Sequence, residues 1–428
     1  MNVVCKDWGN TTMKRVRIDE LVPGDIVAKD IITKAGNEVA KSGSVLSDPL
    51  IKRLHFYGFD TIEIEDDVKR SAPAADMNPA SLEDVTNLLN DISDLLGEEP
   101  EEEEEAPAEA EEVPAAAPEK KEQKPAKPKE RPNENISYSN RLKQAPEYQD
   151  FQIAYSKALV TLENTFINII EHDGQDYNRR TLLDSVEPLF NGKTSLDILT
   201  YIQCMQGNDD SVYAHSINVA LVSRAIGKWL KMGHDDLDDL TLAGLLHDIG
   251  KCNVPPEVLN KAGKLTDEEF DLIKKHPLDG RKMLKQCPDM DSRYLNAALQ
   301  HHERSDGSGY PRGLDDDEID DFAAIVAIAD VYDAMTATRA YRSAMSPFEV
   351  IAAFERDGLS KYRTGYILTF LKKMAEAYQN SLVLLSDGRR GRVIYTHKHH
   401  LSMPIVELAD KTLVDLVEHR DIHIVSIL

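Results

Sequence analysis

From Ile136 to about Met374 the apolar residues recur at helical rather than strand spacing, and this excludes most of the folds open to a chain of 428 residues. Phe151–Glu171, Leu182–Phe190, Leu196–Met205, Ile217–Leu230 and Leu237–Leu246 each read as an amphipathic helix. Gly/Pro breaks fall at Pro255-Pro256, His276-Pro277 and Gly307–Pro311. No βαβ alternation and no GxxxxGK phosphate loop interrupts the run, so a helical bundle is expected over a doubly wound sheet.

The flanks read differently. Residues 1–66 look like a small β-rich module, with Val16-Arg17-Ile18, Ile26-Val27-Ala28 and Thr61–Ile64 as short strands. Pro23-Gly24-Asp25, Gly36-Asn37 and Lys41-Ser42-Gly43 are its turn signals, and Leu50–Tyr57 is its helix. Its function is open between a regulatory or dimerisation module and a structural appendage. Residues 67–135 read as a linker, with one candidate amphipathic helix over Ser81–Leu96 and an acidic tract over Glu98–Glu112. That tract is a solvated spacer or a seat for a basic partner, since its composition cannot bury enough apolar surface to offset ordering entropy. Residues 381–428 return to strands at Leu382–Leu385, Gly391–Tyr395, Met403–Leu408 and Ile422–Ile427. The expected fold class is therefore mainly α: a helical domain over 136–380 between two small β elements.

Composition limits the partners. A net charge of -25 argues against a nucleic-acid polymer or an anionic membrane surface, although part of it sits in the acidic tract. No apolar run reaches the ~18–20 residues of a membrane helix, and the N-terminus has no apolar signal region. Four scattered cysteines without a CxxC pair fit reduced thiols, and a cytoplasmic location is expected.

Leu245–Lys251 reads Leu-Leu-His-Asp-Ile-Gly-Lys. His247 and Asp248 pair a neutral imidazole with a carboxylate, a good ligand set for a divalent transition metal. If the helix continues, Lys251 projects from the same face, three residues after Asp248. A cation beside a metal suits work on phosphate. The alternative is a surface His-Asp pair near a helix end, with Gly250 as C-cap. The other histidines bear on this choice. Of the chain's 13 histidines, His215, His247, His276, His301 and His302 fall in the helical segment, where His234 in its polar turn is expected to be exposed. Asp330 lies on an apolar helix, where an unpartnered carboxylate is costly. Asp333, one turn on, reads as either its helper or a surface acid. Five imidazoles and two carboxylates exceed a closed zinc site and suit two ions sharing Asp248. Such a pair, ~3.5–4 Å apart, can clamp a phosphodiester. The cluster His397-Lys398-His399-His400 reads instead as a solvated turn, because no carboxylate or cysteine accompanies it in sequence.

With HDIGK followed by His301-His302-Glu303-Arg304-Ser305-Asp306-Gly307-Ser308-Gly309-Tyr310-Pro311, the chain resembles the HD-GYP family of cyclic di-GMP phosphodiesterases over about a third of its length, Ser211 to Arg342. The resemblance implies that His215, His247 and Asp330 hold one metal, that His276, His301 and His302 hold a second, and that Asp248 bridges them. It implies that Lys251 contacts a phosphate oxygen or assists departure of the 3′ oxygen. Gly309, Tyr310 and Pro311 would form the name-giving loop, with Gly309 permitting the turn and Tyr310 able to stack on guanine. Arg339 and Arg342 would hold phosphate or a guanine edge; from spacing alone they read as solvated helix-end residues. Three positions depart from the pattern. Ser211 replaces the Glu of three-metal members, which favours two metals and pGpG as product over full hydrolysis to GMP. Ala340 replaces Pro between the arginines, and Asp320 replaces Pro on a loop where little effect is expected.

Three expectations follow. The first is a phosphodiesterase with two divalent ions, iron or manganese favoured and zinc, nickel and cobalt open. The second is a cyclic di-GMP receptor with little hydrolysis, working through a protein partner of the N-terminal module or acidic linker. The third is a hydrolase of another cyclic dinucleotide. A homodimer is the default assembly.

Overall fold

Alternation at period two builds the N-terminal module of the computed structural model, which describes residues 13–65 and 143–428 apart from 33–37, 57, 58, 60, 144, 173, 206–210, 262 and 338–344. Strands β1 (Met13–Arg17), β2 (Ile31–Ile32) and β3 (Glu38–Ala40) precede helix α1 (Asp48–Phe56) and strand β4 (Thr61–Glu65). β1 pairs antiparallel with β4, setting Val16 opposite Ile62, and β2 pairs with β3. Ile62 and Ile64 point inward with Leu50 and Leu54 of α1, closing a small core. The linker and its Ser81–Leu96 helix lie outside the described residues.

The helices follow in order: α2 (Pro146–Glu171), α3 (Arg179–Phe190), α4 (Ser195–Met205), α5 (Val212–Trp229), α6 (His234–Leu246), α7 (Pro256–Leu259), α8 (Asp267–Ile273), α9 (His276–Leu284), α10 (Ser292–Gln300), α11 (Asp321–Thr336), α12 (Pro347–Ala353), α13 (Leu359–Lys361) and α14 (Thr364–Ala377). The expected Pro breaks start helices: Pro256 opens α7 and Pro277 lies in the first turn of α9. α2 buries Phe151, Tyr155, Ala158, Leu162, Phe166 and Ile169, a single stripe at spacings of three and four. α5 and α11 are buried on nearly every face and form the centre of the bundle. Two departures from the family pattern have local roles. Ser211 is the N-cap of α5, its hydroxyl accepting from the Ala214 amide at 3.2 Å. Asp320 caps α11 by accepting from the Phe322 amide at 2.9 Å and also accepts from Asn296 Nδ2 at 3.1 Å. Asp320 is thus a structural cap rather than a neutral loop residue.

Five antiparallel strands complete the fold: β5 (Leu382–Leu385), β6 (Arg390–His397), β7 (His400–Leu408), β8 (Leu413–Asp415) and β9 (Ile424–Ile427), in the order β8-β7-β6-β5-β9. The His397–His400 segment forms the expected turn, with Lys398 and His399 exposed, but it does not stand apart from carboxylates. His397 and His400 face each other across the β6–β7 hairpin, and pairing of β7 with β8 brings Asp415 Oδ1 to 3.0 Å from His397 Nε2. A carboxylate does accompany the cluster, from a strand that local sequence does not connect to it. Cys204, Cys252 and Cys287 are free thiols, and Cys5 lies outside the described residues. Among the described residues, no helix is long and apolar enough to cross a membrane.

The sheet shares the apolar core of the helices through Val383, Val393 and Val406, and a buried carboxylate adds a polar link. Glu355, in a π-helical turn at Phe354–Gly358, accepts from the Leu401 amide at 2.6 Å and the Ser402 hydroxyl at 2.5 Å. Burial outweighs these hydrogen bonds and pushes its carboxyl up from 4.5 to about 7. A folded value above the unfolded one means that the protonated form favours folding. This contribution is complete below pH 4.5 and is lost as pH rises through about 7. The melting temperature of the wild type should therefore fall relative to Glu355→Gln across that window. Parallel thermal melts check this, and a constant difference between the two proteins would refute it.

Candidate metal centre

Five separate segments deliver the seven expected ligands to one place. α5 carries His215, the end of α6 carries His247 and Asp248, α9 begins with His276, the turn after α10 holds His301 and His302, and α11 carries Asp330. His215, His247 and Asp330 offer ligand atoms within 4.8 Å of one another, and so do His276, His301 and His302. Asp248 stands between the two sets. Its Oδ2 lies 3.3 Å from both His215 Nε2 and His247 Nε2. Its Oδ1 lies 3.3 Å from His276 Nε2 and 3.6 Å from His301 Nε2. One carboxylate therefore turns one oxygen to each set. His247, Asp248, His276 and His301 are fully buried, which removes the reading of a surface His-Asp pair.

Local geometry explains the arrangement. The α-helix does not continue through the motif as the spacing suggested. α6 stops at Leu246, Asp248 takes φ -104° and ψ 9°, and Ile249–Asn253 wind into a 3-10 turn. Residues i and i+3 eclipse in such a turn, which sets Lys251 Nζ 2.6 Å from Asp248 Oδ2. Gly250 is not a left-handed cap. A Cβ there would lie 2.0 Å from the His276 carbonyl oxygen and 2.6 Å from the Gly280 amide nitrogen. Glycine lets the turn press onto α9, and this contact joins the two halves of the cluster.

The imidazoles are fixed from behind. His247 Nδ1 lies 2.7 Å from the Gly244 carbonyl, His276 Nδ1 2.7 Å from that of Ile273, and His301 Nδ1 3.0 Å from that of Ala297. Each carbonyl belongs to the last turn of a helix (α6, α8 and α10), and that of Ala297 also accepts from the His301 amide at 3.2 Å. Nδ1 is the donor in each, so the Nε2 lone pairs face inward. His215 Nδ1 instead meets Asp333 Oδ2 at 2.8 Å, which makes Asp333 the helper and not a surface acid.

This donor set fits metal ions. His215 Nε2, His247 Nε2 and Asp248 Oδ1 are buried without a hydrogen-bond partner. His276 Nε2 and His301 Nε2 face each other at 3.2 Å, two lone pairs that repel unless a cation sits beside them. Burial, with only partial relief from Asp248, holds the His301 imidazole down at about 4 and so uncharged at neutral pH. Burial works against the ionised form of Asp248, but Lys251 and His247 hold its carboxyl well below the usual range. Burial works against a charged His215, but Asp248, Asp330 and Asp333 hold its imidazole well above the usual value, so a metal there would displace a proton that His301 does not carry.

The remaining expected residues divide. Tyr310 stacks on His302, with ring centroids 4.7 Å apart and planes at 20°. Pro311 follows through a cis peptide bond. Gly309 does not supply a left-handed turn; Gly307 and Gly313 do, at φ +76° and +64°. Gly309 is needed for close approach, because a Cβ would lie 2.4 Å from Glu303 Cα. Arg339 and Arg342 lie outside the described residues. Sequence reading gave no role to Glu303, a buried acid whose signal was its place directly after the His301-His302 doublet.

Replacing Asp333 with Asn should weaken metal binding at His215 by about 10–100-fold, the usual effect of losing a carboxylate behind a ligating imidazole. Metal titration monitored by calorimetry checks this. Unchanged affinity would show that the contact is incidental.

Residues 180–363 match the model of the HD domain family. The chain is 37% identical over 205 residues to a cyclic di-GMP phosphodiesterase of Pseudomonas aeruginosa, covering 48% of this chain and 49% of that protein. It is 39% identical over 169 residues to a 3′3′-cGAMP-specific phosphodiesterase of Vibrio cholerae, covering 38% of this chain and 39% of that one. The chain thus spans about half or less of the length of these relatives. Among solved structures, it is similar to an HDG"Y"P protein of Bdellovibrio bacteriovorus, with 17% identity and a TM-score of 0.43 over 84% of this chain and 98% of that one.

Proposed function

We propose that residues 180–363, which match the HD domain family, are of the HD-GYP type, and that the chain is a metal-dependent phosphodiesterase hydrolysing cyclic di-GMP to linear pGpG in the cytoplasm. The observation that carries this reading is the division of Asp248, one oxygen toward each histidine set. In it, His215, His247 and Asp330 hold one divalent ion, and His276, His301 and His302 hold a second. Asp248 is shared, and iron or manganese is favoured. Once bound, such ions supply Lewis acidity and an activated water at neutral pH.

The chain's own groups do the rest. Inward Nε2 atoms keep the ligands ready without a change of tautomer. The Lys251 ammonium, partly exposed at the edge of the cluster, is set to meet a non-bridging phosphate oxygen and to give a proton to the departing 3′ oxygen. Arg339 and Arg342 are the proposed partners of phosphate or a guanine edge, and Gly309–Pro311 border the same site. Ser211 supports two ions and a pGpG product, because its hydroxyl is engaged in capping α5.

The test is turnover of cyclic di-GMP by the purified chain, reloaded anaerobically with Fe(II) or Mn(II), beside elemental analysis. Multiple turnovers to pGpG with about two ions per chain are expected. Loaded protein that binds the nucleotide but leaves it intact would instead establish a receptor. The likeness to a 3′3′-cGAMP-specific enzyme favours one competing substrate. Relative kcat/KM for the two cyclic dinucleotides decides between them.

A further inference from the structure

We propose that Tyr310 and Glu303 are positioning residues for His302, and that the loop they hold sets the second ion's ligand geometry. This rests on the two-ion reading above. His302 differs from the other histidines of the cluster. His247, His276 and His301 are anchored through Nδ1 to carbonyls, and His215 to Asp333. Among the described residues, no hydrogen bond reaches the His302 ring, and its Nδ1 lies 3.9 Å from Asp330 Oδ2. Its orientation is set by neighbouring rings. Tyr310 stacks on it at 4.7 Å and 20°, and His276 meets it edge-on at 5.0 Å and 89°. An offset stack with a neighbouring aromatic restricts an imidazole where a hydrogen bond is missing.

Tyr310 is in turn held by the same turn of chain. Its amide donates to the His302 carbonyl at 3.1 Å. Gly309 packs directly on the Glu303 backbone, leaving no room for a Cβ. The buried Glu303 carboxylate accepts from the Arg312 amide at 2.8 Å through one oxygen and from the Leu314 amide at 3.0 Å through the other. Glu303 adjoins His302 in sequence and clamps the far end of the loop, so the loop closes back on the histidine doublet with Tyr310 over the ring. Glu303→Gln leaves one acceptor oxygen and sets an NH2 group against a backbone donor.

The experiment measures metal stoichiometry and steady-state kinetics on the full-length chain. The wild type should hold about two ions, and Tyr310→Phe should match it because the ring remains. Tyr310→Leu and Glu303→Gln should bind the second ion about 10–100-fold more weakly, so that about one ion survives desalting. Their kcat should fall with the lost ion and recover in excess metal, while KM stays near the wild-type value. Circular dichroism melts identify a variant that fails to fold, and Tyr310→Phe against Glu303→Gln then carries the comparison. Full metal content in Tyr310→Leu and Glu303→Gln with a raised KM would overturn the proposal and make Tyr310 a substrate contact. A wild type holding fewer than two ions would instead remove the two-ion reading, and this proposal with it.

Discussion

Asp248→Ala is expected to lose both metal ions and, with them, at least about a thousandfold of the turnover, well beyond the ~10–100-fold of a change behind the ligands. The reason is geometric. Asp248 touches two histidines of each set, with Oδ2 facing His215 and His247 and Oδ1 facing His276 and His301, whereas Asp330 reaches the second set only at His302, 3.9 Å away. On the two-ion reading, deleting the carboxylate would remove one ligand from each ion at once. It would also remove the negative charge that would offset two divalent cations in a buried site. The fold should survive, because the surrounding core is apolar and Lys251, its partner, reaches solvent. Elemental analysis and product chromatography on the folded variant check the outcome. A variant that retained two ions and a tenth of the wild-type rate would sink the shared-ligand mechanism.

Lys251→Met is expected to separate binding of metal from chemistry. Methionine keeps an unbranched chain of similar reach and removes the charge. Metal content should stay at the wild-type level, since no ligand is lost. kcat should drop by about 10²–10³, the range for removing one group that stabilises charge developing in the transition state. A rise in KM alone would assign Lys251 to ground-state binding of phosphate. A wild-type kcat would exclude it from the reaction.

The clustering of the seven candidate ligands was legible because imidazoles are uncommon in apolar helical stretches, and because helical periodicity from Phe151 to Leu246 fixed what kind of scaffold would bring them together. The resemblance then assigned each to an ion. Other parts were hidden for physical reasons. The 3-10 turn after Asp248 depends on contact between Gly250 and the His276 carbonyl, two residues far apart in sequence. Asp333 read equally well as helper or surface acid, because its role depends on a ring carried by α5. β8 has only three residues, too few to show alternation, and so Asp415 could not be paired with His397. Asp320 looked inert on a loop because capping is decided by where a helix starts, the least certain point of any sequence reading.

The carbonyls behind His247, His276 and His301 have a consequence for the length of the helices that carry them. A residue inserted into the body of α6 or α10 would turn that helix's last carbonyls by ~100° and shift them by ~1.5 Å relative to its other end. The imidazole leaning on them would no longer aim at Asp248. These helices therefore act as rulers, and their residue count is part of the instruction for binding metal. Insertions there, a turn or more from any ligand, should be as damaging as loss of a histidine.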